Sequence, residues 1–447
     1  MRDHFEPINS SPENFNTVDF DAIIIGAGPA GSSAAILLAC AGWSVALIEK
    51  QSFPRRKVCG ECIAASNYPL LEALGIGAKF DASAGPELRK VALLRSNSKI
   101  VADLPAFNHE KYRWGRALGR ETLDTLLLEQ ARLAGATILQ PWSLQTIKGK
   151  AGNWYCEIRN EHSQVSHKLR ASVAIAANGS WEPLPSDRPM RRLTRSASDL
   201  LAFKANFKEV QLDKEMLTLL SFNGGYGGMV TADSDLTTLA CCIRRDKLEI
   251  LRTASPGLSA GDIVEAMLKR ECVGLKDALQ PALREGNWLA AGPIAPGVKI
   301  DRNNGLFHIG NAAGEAHPII GEGMSMALQS AWLLCAQLVH AKNSHNAHVV
   351  TWQQEAAKSY VAQWRQCFAP RLSLAATFAH TLMRPAPAVS LMALLKHWPG
   401  MLTVGAKIAG KVHCAVNPSV IKLLTTNNHQ INTNSTVKLP INADHEC

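Results

Sequence analysis

Residues 21–35 read DAIIIGAGPAGSSAA, and the fold turns on them. Asp21 to Ile25 is a short apolar run of the kind that forms a buried strand. Gly26-Ala-Gly28-Pro29-Ala30-Gly31 places three glycines in the spacing G-x-G-x-x-G, and a segment rich in helix formers follows. Ser44 to Ile48 reads as a second strand, so strand, turn, helix and strand fit within about thirty residues, a βαβ unit. The glycine spacing alone is a weak signal, and this context gives it force. Gly26 permits the tight turn, Gly28 lets the backbone approach a diphosphate, and Gly31 lets helix and strand pack closely. The first amides of the helix and its positive dipole end suit that diphosphate. Glu49 follows the second strand at about the distance that suits a ribose contact, and its charge repels a 2′-phosphate. Pro29, Ala30 and Lys50 are expected cofactor contacts beside these. The expected ligand is FAD or NAD.

The 447 residues are 47% hydrophobic, enough for a large core. Eleven cysteines, several in apolar runs such as those around Cys40 and Cys335, fit a reduced interior where cysteine serves as a small hydrophobe. Residues 1–20 carry no basic segment followed by an apolar one, so no secretory signal is read there. No uncharged apolar run approaches the ~18 residues of a membrane span. The net charge of +9 suits anionic cofactors or a membrane surface, and equally an ordinary surface bias. No basic cluster interleaved with aromatics points to nucleic acid. The histidines form no H-E-x-x-H, and the single C-x-x-C, Cys59 to Cys62, has no second pair at ligand spacing, so no metal site is expected. A cytoplasmic location is expected, with a peripheral position on the inner membrane face as an option. The sequence leaves the oligomeric state open.

Further along, Gly119–Ala136 has leucines at 123, 126, 127 and 133 near a helical period. Residues 139–176 and 200–245 read as β-structure, 306–310 as a buried strand, and 324–340 as an apolar helix. Trp352, Tyr360, Trp364 and Phe368 fall four or eight apart, the signature of a packed helix face within a helical region that prolines interrupt from 351 to about 413.

Four stretches, in order along the chain, carry a resemblance. They are the dinucleotide turn; GRALGRETLDTLLLEQARLAGA, which looks like an R-x-x-L-D-x-x-L opening; AIAANGSWEP (174–183), similar to D-G-x-x-S; and GLFHIGNAAGEAHPIIGEGMSMALQSA (305–331), similar to G-D-A-A-…-P-x-x-G-x-G. Together they resemble the flavoprotein superfamily of para-hydroxybenzoate hydroxylase and geranylgeranyl reductase, over residues 19 to about 340. The resemblance implies FAD as cofactor and NAD(P)H as a transient electron donor. It implies an α/β fold, with a Rossmann-type FAD-binding domain of mostly parallel sheet and helices interleaved with an antiparallel β-sheet substrate domain, plus a C-terminal helical segment. The expected divisions are a mobile arm at 1–18; an FAD-binding domain from 19–80, 115–180 and 290–345; a substrate domain from 81–114 and 181–289; a helical cap at 346–424; and a disordered tail at 425–447. Arg120, Asn178, Gly179, Gly310, Asn311, Pro318, Gly321, Gly323 and Met324 are the implied cofactor contacts. The chain departs from the pattern twice, with Asn178 and Asn311 where the family has aspartates; an amide keeps one acceptor and loses the charge. Glu315 and His317 are candidate proton donors, or stabilise their loop. The amides that open the following helix suit negative charge on the flavin's pyrimidine edge.

The segment Arg55–Ala65, RRKVCGECIAA, reads as either a redox dithiol or a cofactor-contacting loop. Disulfide reductases of the glutathione reductase type space their cysteines by four residues and carry a second dinucleotide turn, which this chain lacks. Pro54 to Glu61 looks instead like the P-x-x-x-x-C-G-(G/E) loop of the geranylgeranyl reductase group. Arg55, Arg56 and Lys57 are then near the cofactor phosphates or adenosine, Cys59 and Gly60 contact the flavin, Cys59 is a candidate catalytic thiol, and Cys62 is incidental. Ser221–Asp246 resembles the strands that roof the flavin, with an apolar wall of Met229, Val230, Leu239 and Ile319. The halogenase branch is set aside because no W-x-W-x-I-P is present. The expected function is a monooxygenase using NAD(P)H and O2 on a small aromatic or hydrophobic, lipid-like substrate. The alternatives are a reductase of C=C bonds and a non-catalytic flavin-fold binding protein. The apolar, basic stretch 384–413 reads as a cavity cap or as a membrane-surface contact.

Overall fold

The structure is a computed structural model that describes residues 17–180, 184–185, 195–300, 305–344 and 349–425. Residues 1–16 of the expected arm and 426–447 of the expected tail lie outside these. The elements used below are, in the first half, β1 (Val18–Ile25), α1 (Pro29–Cys40), β2 (Val45–Ile48), β3 (Lys90–Arg95), β4 (Ser98–Asp103), α2 (Arg120–Leu133), β5 (Thr137–Leu139), β6 (Trp142–Lys150), β7 (Asn153–Asn160) and β8 (Ser166–Ala176). The second half contributes β9 (Leu200–Lys208), β10 (Met216–Phe222), β11 (Gly225–Thr231), β12 (Thr237–Arg244), β13 (Leu283–Ile294), β14 (Phe307–His308), α3 (Gly323–Ser344), α4 (Val349–Met383), α5 (Pro385–His397) and α6 (Gly400–Ala409).

The βαβ unit forms as its sequence predicts. β1 runs parallel between β2 and β8, with Ala22–Ile25 against Val45–Ile48 on one side and Val173–Ala176 on the other. Its apolar run is continuous because both faces of the sheet are covered there. The full order is β5-β2-β1-β8-β7-β6, with β14 also paired to β8. Only the end of β8 next to β1 is continuously buried; its start alternates, as suits its antiparallel pairing with β7. Helix α1 is buried from Pro29 to Leu38, packed by α2 and α3. A helix apolar all round belongs inside. Gly31 makes this close approach possible, since a Cβ there would strike the carbonyl oxygen of Gly26.

The second sheet has the order β13-β9-β12-β11-β10-β3-β4, and it is antiparallel except where β10 runs parallel to β3. The α/β architecture with a separate β-sheet and a C-terminal helical region is therefore the one expected. One detail of α2 differs. Leu123 and Leu127 are fully buried, but Leu133 is 73% exposed, and the buried residues of the helix include the acid Asp124. The acid is tolerated because it holds the guanidinium of Arg120 through two hydrogen bonds of 2.7 Å.

Two devices join the sheets. Glu61, buried and left-handed at φ +59°, receives hydrogen bonds from Lys204 on β9, from Thr238 on β12, and from the backbone N–H of Arg120 at 2.9 Å. The other is α4, whose face of Trp352, Tyr360, Trp364 and Phe368 is buried as expected. Near its start, Trp352 meets Trp43 edge-on and Gln353 donates to the carbonyl of Ser172 on β8. At its end, the carbonyl of Leu382 accepts from Ser221 and Arg95, and that of Met383 from the N–H of Gly224. The last carbonyls of a helix lack partners within it, and the second sheet supplies them.

Glu61→Ala leaves the Lys204 ammonium buried without its carboxylate, and the expected loss of stability is about 3–5 kcal/mol. Urea denaturation of Glu61→Ala, Lys204→Met and the double variant measures it. The double variant is expected to lose clearly less than the sum of the two.

Candidate cofactor and substrate site

One cavity of about 880 Å³ runs between the sheets. It begins at the carboxyl ends of β1, β2 and β8, where open α/β sheets bind ligands, and continues beneath β10, β11 and β12. Gly26 bends there at φ +101°, and a Cβ would lie 2.6 Å from the Ala177 carbonyl oxygen, so the turn needs a glycine. Gly26, Gly28, Pro29 and Ala30 all line the cavity, whereas Gly31 serves packing. Both carboxylate oxygens of Glu49 are engaged, accepting from the N–H groups of Ala27 and Gln51 at 3.0 Å each. Each oxygen keeps a second lone pair for a ribose hydroxyl. Glu49 and Lys50 line this end.

The same end is cationic. Arg55 stacks on Phe53, lies 3.4 Å from Asp124 and 3.7 Å from Glu49, and lines the cavity with Lys57 and Arg120. Gly28 is the glycine beside Arg120, and Gly179 the one beside Lys57. Burial, with Arg120 and Arg55 nearby, pushes the Lys57 ammonium down to about 8. Arg56 is the exception among the expected contacts. It does not line the cavity, and its guanidinium donates to the carbonyl of Asn287 at 3.3 Å. Consecutive residues of an extended loop point opposite ways, so Arg55 and Lys57 share one side and Arg56 takes the other.

Asn178, Gly179, Gly310, Asn311, Pro318, Gly321, Gly323 and Met324 line the opposite wall. Gly321 is left-handed at φ +62°, and a Cβ on Gly323 would meet nothing within 4 Å, so the opening turn of α3 faces open space. Asn311 has a local reason to be an amide. It donates to Ser180 Oγ at 2.8 Å, and Ser180 donates onward to Glu315 at 2.7 Å. An aspartate at 311 would compete with Glu315 for the one hydroxyl proton.

Two candidate proton donors are corrected. Glu315 lines the cavity but is committed to its loop, accepting from Ser180, from Lys299 at 3.1 Å, and from the N–H of Ala295 at 3.2 Å. His317 does not line the cavity; it sits behind it, with Nδ1 3.0 Å from the Tyr226 hydroxyl and its ring on His380. Burial and His380 push it down to about 4, so at neutral pH it has no proton to give as an acid.

Cys59 and Gly60 line the cavity, and Cys59 Sγ accepts the N–H of Glu61 at 3.3 Å. Cys62 is buried, its thiol is pushed up by desolvation, and both cysteines are unbridged. A raised thiol opposes the thiolate that disulfide exchange needs. Its neighbour is Lys411, which donates to Cys62 Sγ at 3.6 Å and to the Gly321 carbonyl at 3.2 Å, and pairs with buried Glu322 at 2.9 Å. Over the apolar end lie Leu217, Leu219, Tyr226, Val230 and Ile319. Met229 and Leu239, expected with them, pair across β11 and β12, face the other side of the sheet and pack with Phe203 and Leu220. Sequence reading missed Glu61, Tyr226 and Lys411; for Lys411, 349 residues from Cys62, no local signal exists. Among the described residues no group of acids, histidines and cysteines could hold a metal.

A family model described as the FAD binding domain matches residues 19–362. The chain belongs to that family. It is 25% identical to digeranylgeranylglycerophospholipid reductase 1 of Methanopyrus kandleri over 70% of this chain and 78% of the relative. The structure of the myxobacterial chondrochloren halogenase CndH matches with a TM-score of 0.69 at 16% identity, covering 92% of this chain and 97% of that one. PqsL, a probable FAD-dependent monooxygenase from Pseudomonas aeruginosa, matches with a TM-score of 0.64 at 17% identity, covering 84% and 100%. At these identities the two structures share the fold alone. This FAD-dependent oxidoreductase has a cavity that fits its cofactor, with glycines and cations at the diphosphate end and helix amides at the other.

Lys57 is expected to make FAD binding depend on pH. Diphosphate favours its charged form, so above about 8 binding takes up a proton and affinity falls as pH rises, by up to about tenfold per unit. Calorimetric titration of the apoprotein at pH 7 and 9 reads this, and Lys57→Met is expected to weaken binding and remove the slope. His317 carries the opposite sign of linkage to a salt-bridged histidine. Its folded value lies below the ordinary 6.5, so the unfolded chain takes the proton first and stability is lost as pH falls from about 6.5 towards 4. His317→Gln is expected to shrink the difference between urea midpoints at pH 7 and pH 5.

Proposed function

We propose that this protein is a monooxygenase that takes hydride from NADH or NADPH and hydroxylates a small aromatic or lipid-like substrate with dioxygen. One oxygen atom enters the substrate and the other leaves as water. The observation that carries this reading is the apolar end of the cavity. Its wall consists of Leu217, Leu219, Val230, Ile319 and the small residues Gly227, Gly228 and Ala240. Its titratable groups are held in their neutral or committed states. Tyr226 is raised well above its ordinary value by burial and Cys242 is pushed to about 12, while Glu61 and Glu315 are spent on protein partners. Such a wall excludes water and offers little acid, which suits oxygen transfer to an electron-rich carbon.

Bound FAD supplies two-electron storage and activation of dioxygen. The chain's own part is holding and shielding. The turn at Gly26–Gly31 with Lys57 and Arg120 holds the diphosphate, Glu49 the ribose, and the first turn of α3 the pyrimidine edge. A halogenase would need a lysine beside the substrate. Among the described residues, the lysines lining this cavity are Lys50 and Lys57, both at the phosphate end.

A second reading, saturation of a C=C bond, is favoured by one observation: Cys59 is a thiol on the cavity wall and could protonate a carbon. The two readings separate in one assay. For a monooxygenase, NAD(P)H oxidation in air rises when an aromatic or lipid-like compound is added, and the product gains oxygen from isotope-labelled dioxygen. Turnover of an unsaturated lipid without air, lost in Cys59→Ala, would instead assign the reductase. Purified protein without flavin colour would leave only a binding role.

A further inference from the structure

Helices α5 and α6 face both ways. Their inner sides carry Ala388, Met392, Leu395 and Leu402 into the core, and Thr403 caps the Asp103 carbonyl at the end of β4 at 2.6 Å. Their outer sides are where a soluble helix carries polar residues, yet Val389, Leu394, Trp398, Met401, Val404 and Ile408 are exposed, with Trp398, Val389 and Ile408 at 62% each. On α6 the exposed positions 401, 404 and 408 share one stripe, and Trp398 continues it across the break between the helices. Clustered exposed apolar residues of this kind mark an interaction site.

The chemistry of the partner is set by charge. From Ala356 to Ala443 the sequence contains no aspartate or glutamate. Arg384, which precedes α5, Lys396 on α5 and Lys407 on α6 are exposed beside these apolar residues. A second copy of this chain would set the basic residues of these two helices against each other, with no acid in either helix to offset them. An anionic bilayer meets both demands: acyl chains for the stripe and phosphates for the rim. Trp398 at the helix junction suits the headgroup level, where indole rings concentrate. No helix among the described residues is long and apolar enough to cross a membrane.

We propose that α5 and α6 form a monotopic docking face for a membrane surface rich in anionic lipid. The contact does not depend on the reaction catalysed. It does place the cavity close to the bilayer, because Lys411, just beyond α6, reaches Gly321 and Cys62 of the cavity wall.

The test is flotation of the purified full chain with vesicles of phosphatidylcholine, alone or mixed with phosphatidylglycerol. Binding to the mixed vesicles is expected, weakened by salt and at least about tenfold weaker for Lys396→Glu/Lys407→Glu. Val404→Asp/Ile408→Asp is expected to abolish it while leaving the thermal midpoint and flavin content unchanged, since both side chains are exposed. Binding that survives the aspartate pair overturns the proposal. So does the absence of binding by the parent chain. Self-association in sedimentation that the aspartate pair removes, without vesicle binding, would assign the face to a second copy instead.

Discussion

The buried carboxylate of Glu61 is the contact on which the arrangement of the site depends. It is one side chain with partners in three places: the ammonium of Lys204 and the hydroxyl of Thr238 on the second sheet, and the N–H that opens α2. The α2 contact puts negative charge at a helix N-terminus, where it is favoured. The sheet contacts neutralise a lysine that is otherwise too costly to bury. Because Glu61 lies between Cys59 and Cys62, the loop that borders the cavity is pinned to both layers at once. The position of Cys59 is thus a consequence of an ion pair made two residues later.

That pin divides the cavity by polarity. On one side are the turn at Gly26–Gly31, Arg55, Lys57 and Arg120, with Glu49 and Asp124 holding part of their charge. On the other are Leu217, Leu219, Val230 and Ile319 with the buried Tyr226 hydroxyl turned to His317. FAD has the same division, an anionic diphosphate at one end and a planar ring at the other. A molecule placed in the reverse sense would put charge against hydrocarbon, at a desolvation cost no contact here offsets.

Much of this was readable in sequence because it is local. The glycine turn, the place of Glu49 after the second strand and the buried face of α4 each follow from periodicity or spacing within one element, and the structure has Gly26 at a tight turn, Glu49 at the cavity and the α4 aromatics inside. The four family-like stretches supply the diphosphate turn and the wall from Gly310 to Met324, although they are far apart in sequence. What was not legible depends on which way a side chain points after tertiary packing. Arg56 and Leu239 are displaced from the cavity by alternation along an extended chain, His317 by its partners Tyr226 and His380, and Leu133 by the end of its helix. Lys411 reaches the site from the C-terminal helices, and sequence distance conceals it.

Helix α4 has a consequence of another kind. Its 35 residues span about 50 Å at the usual helical rise, with one end seated on the first sheet and the other on the second. It is therefore a ruler as well as a packing surface. Inserting or deleting a single residue along it turns the far end by about 100° and shifts it by about 1.5 Å. Either the Trp352 contact or the Leu382 carbonyl would then lose its seat. A change in chain length is consequently far easier to absorb in a loop than in this helix, whose residue count sets the spacing of the two sheets.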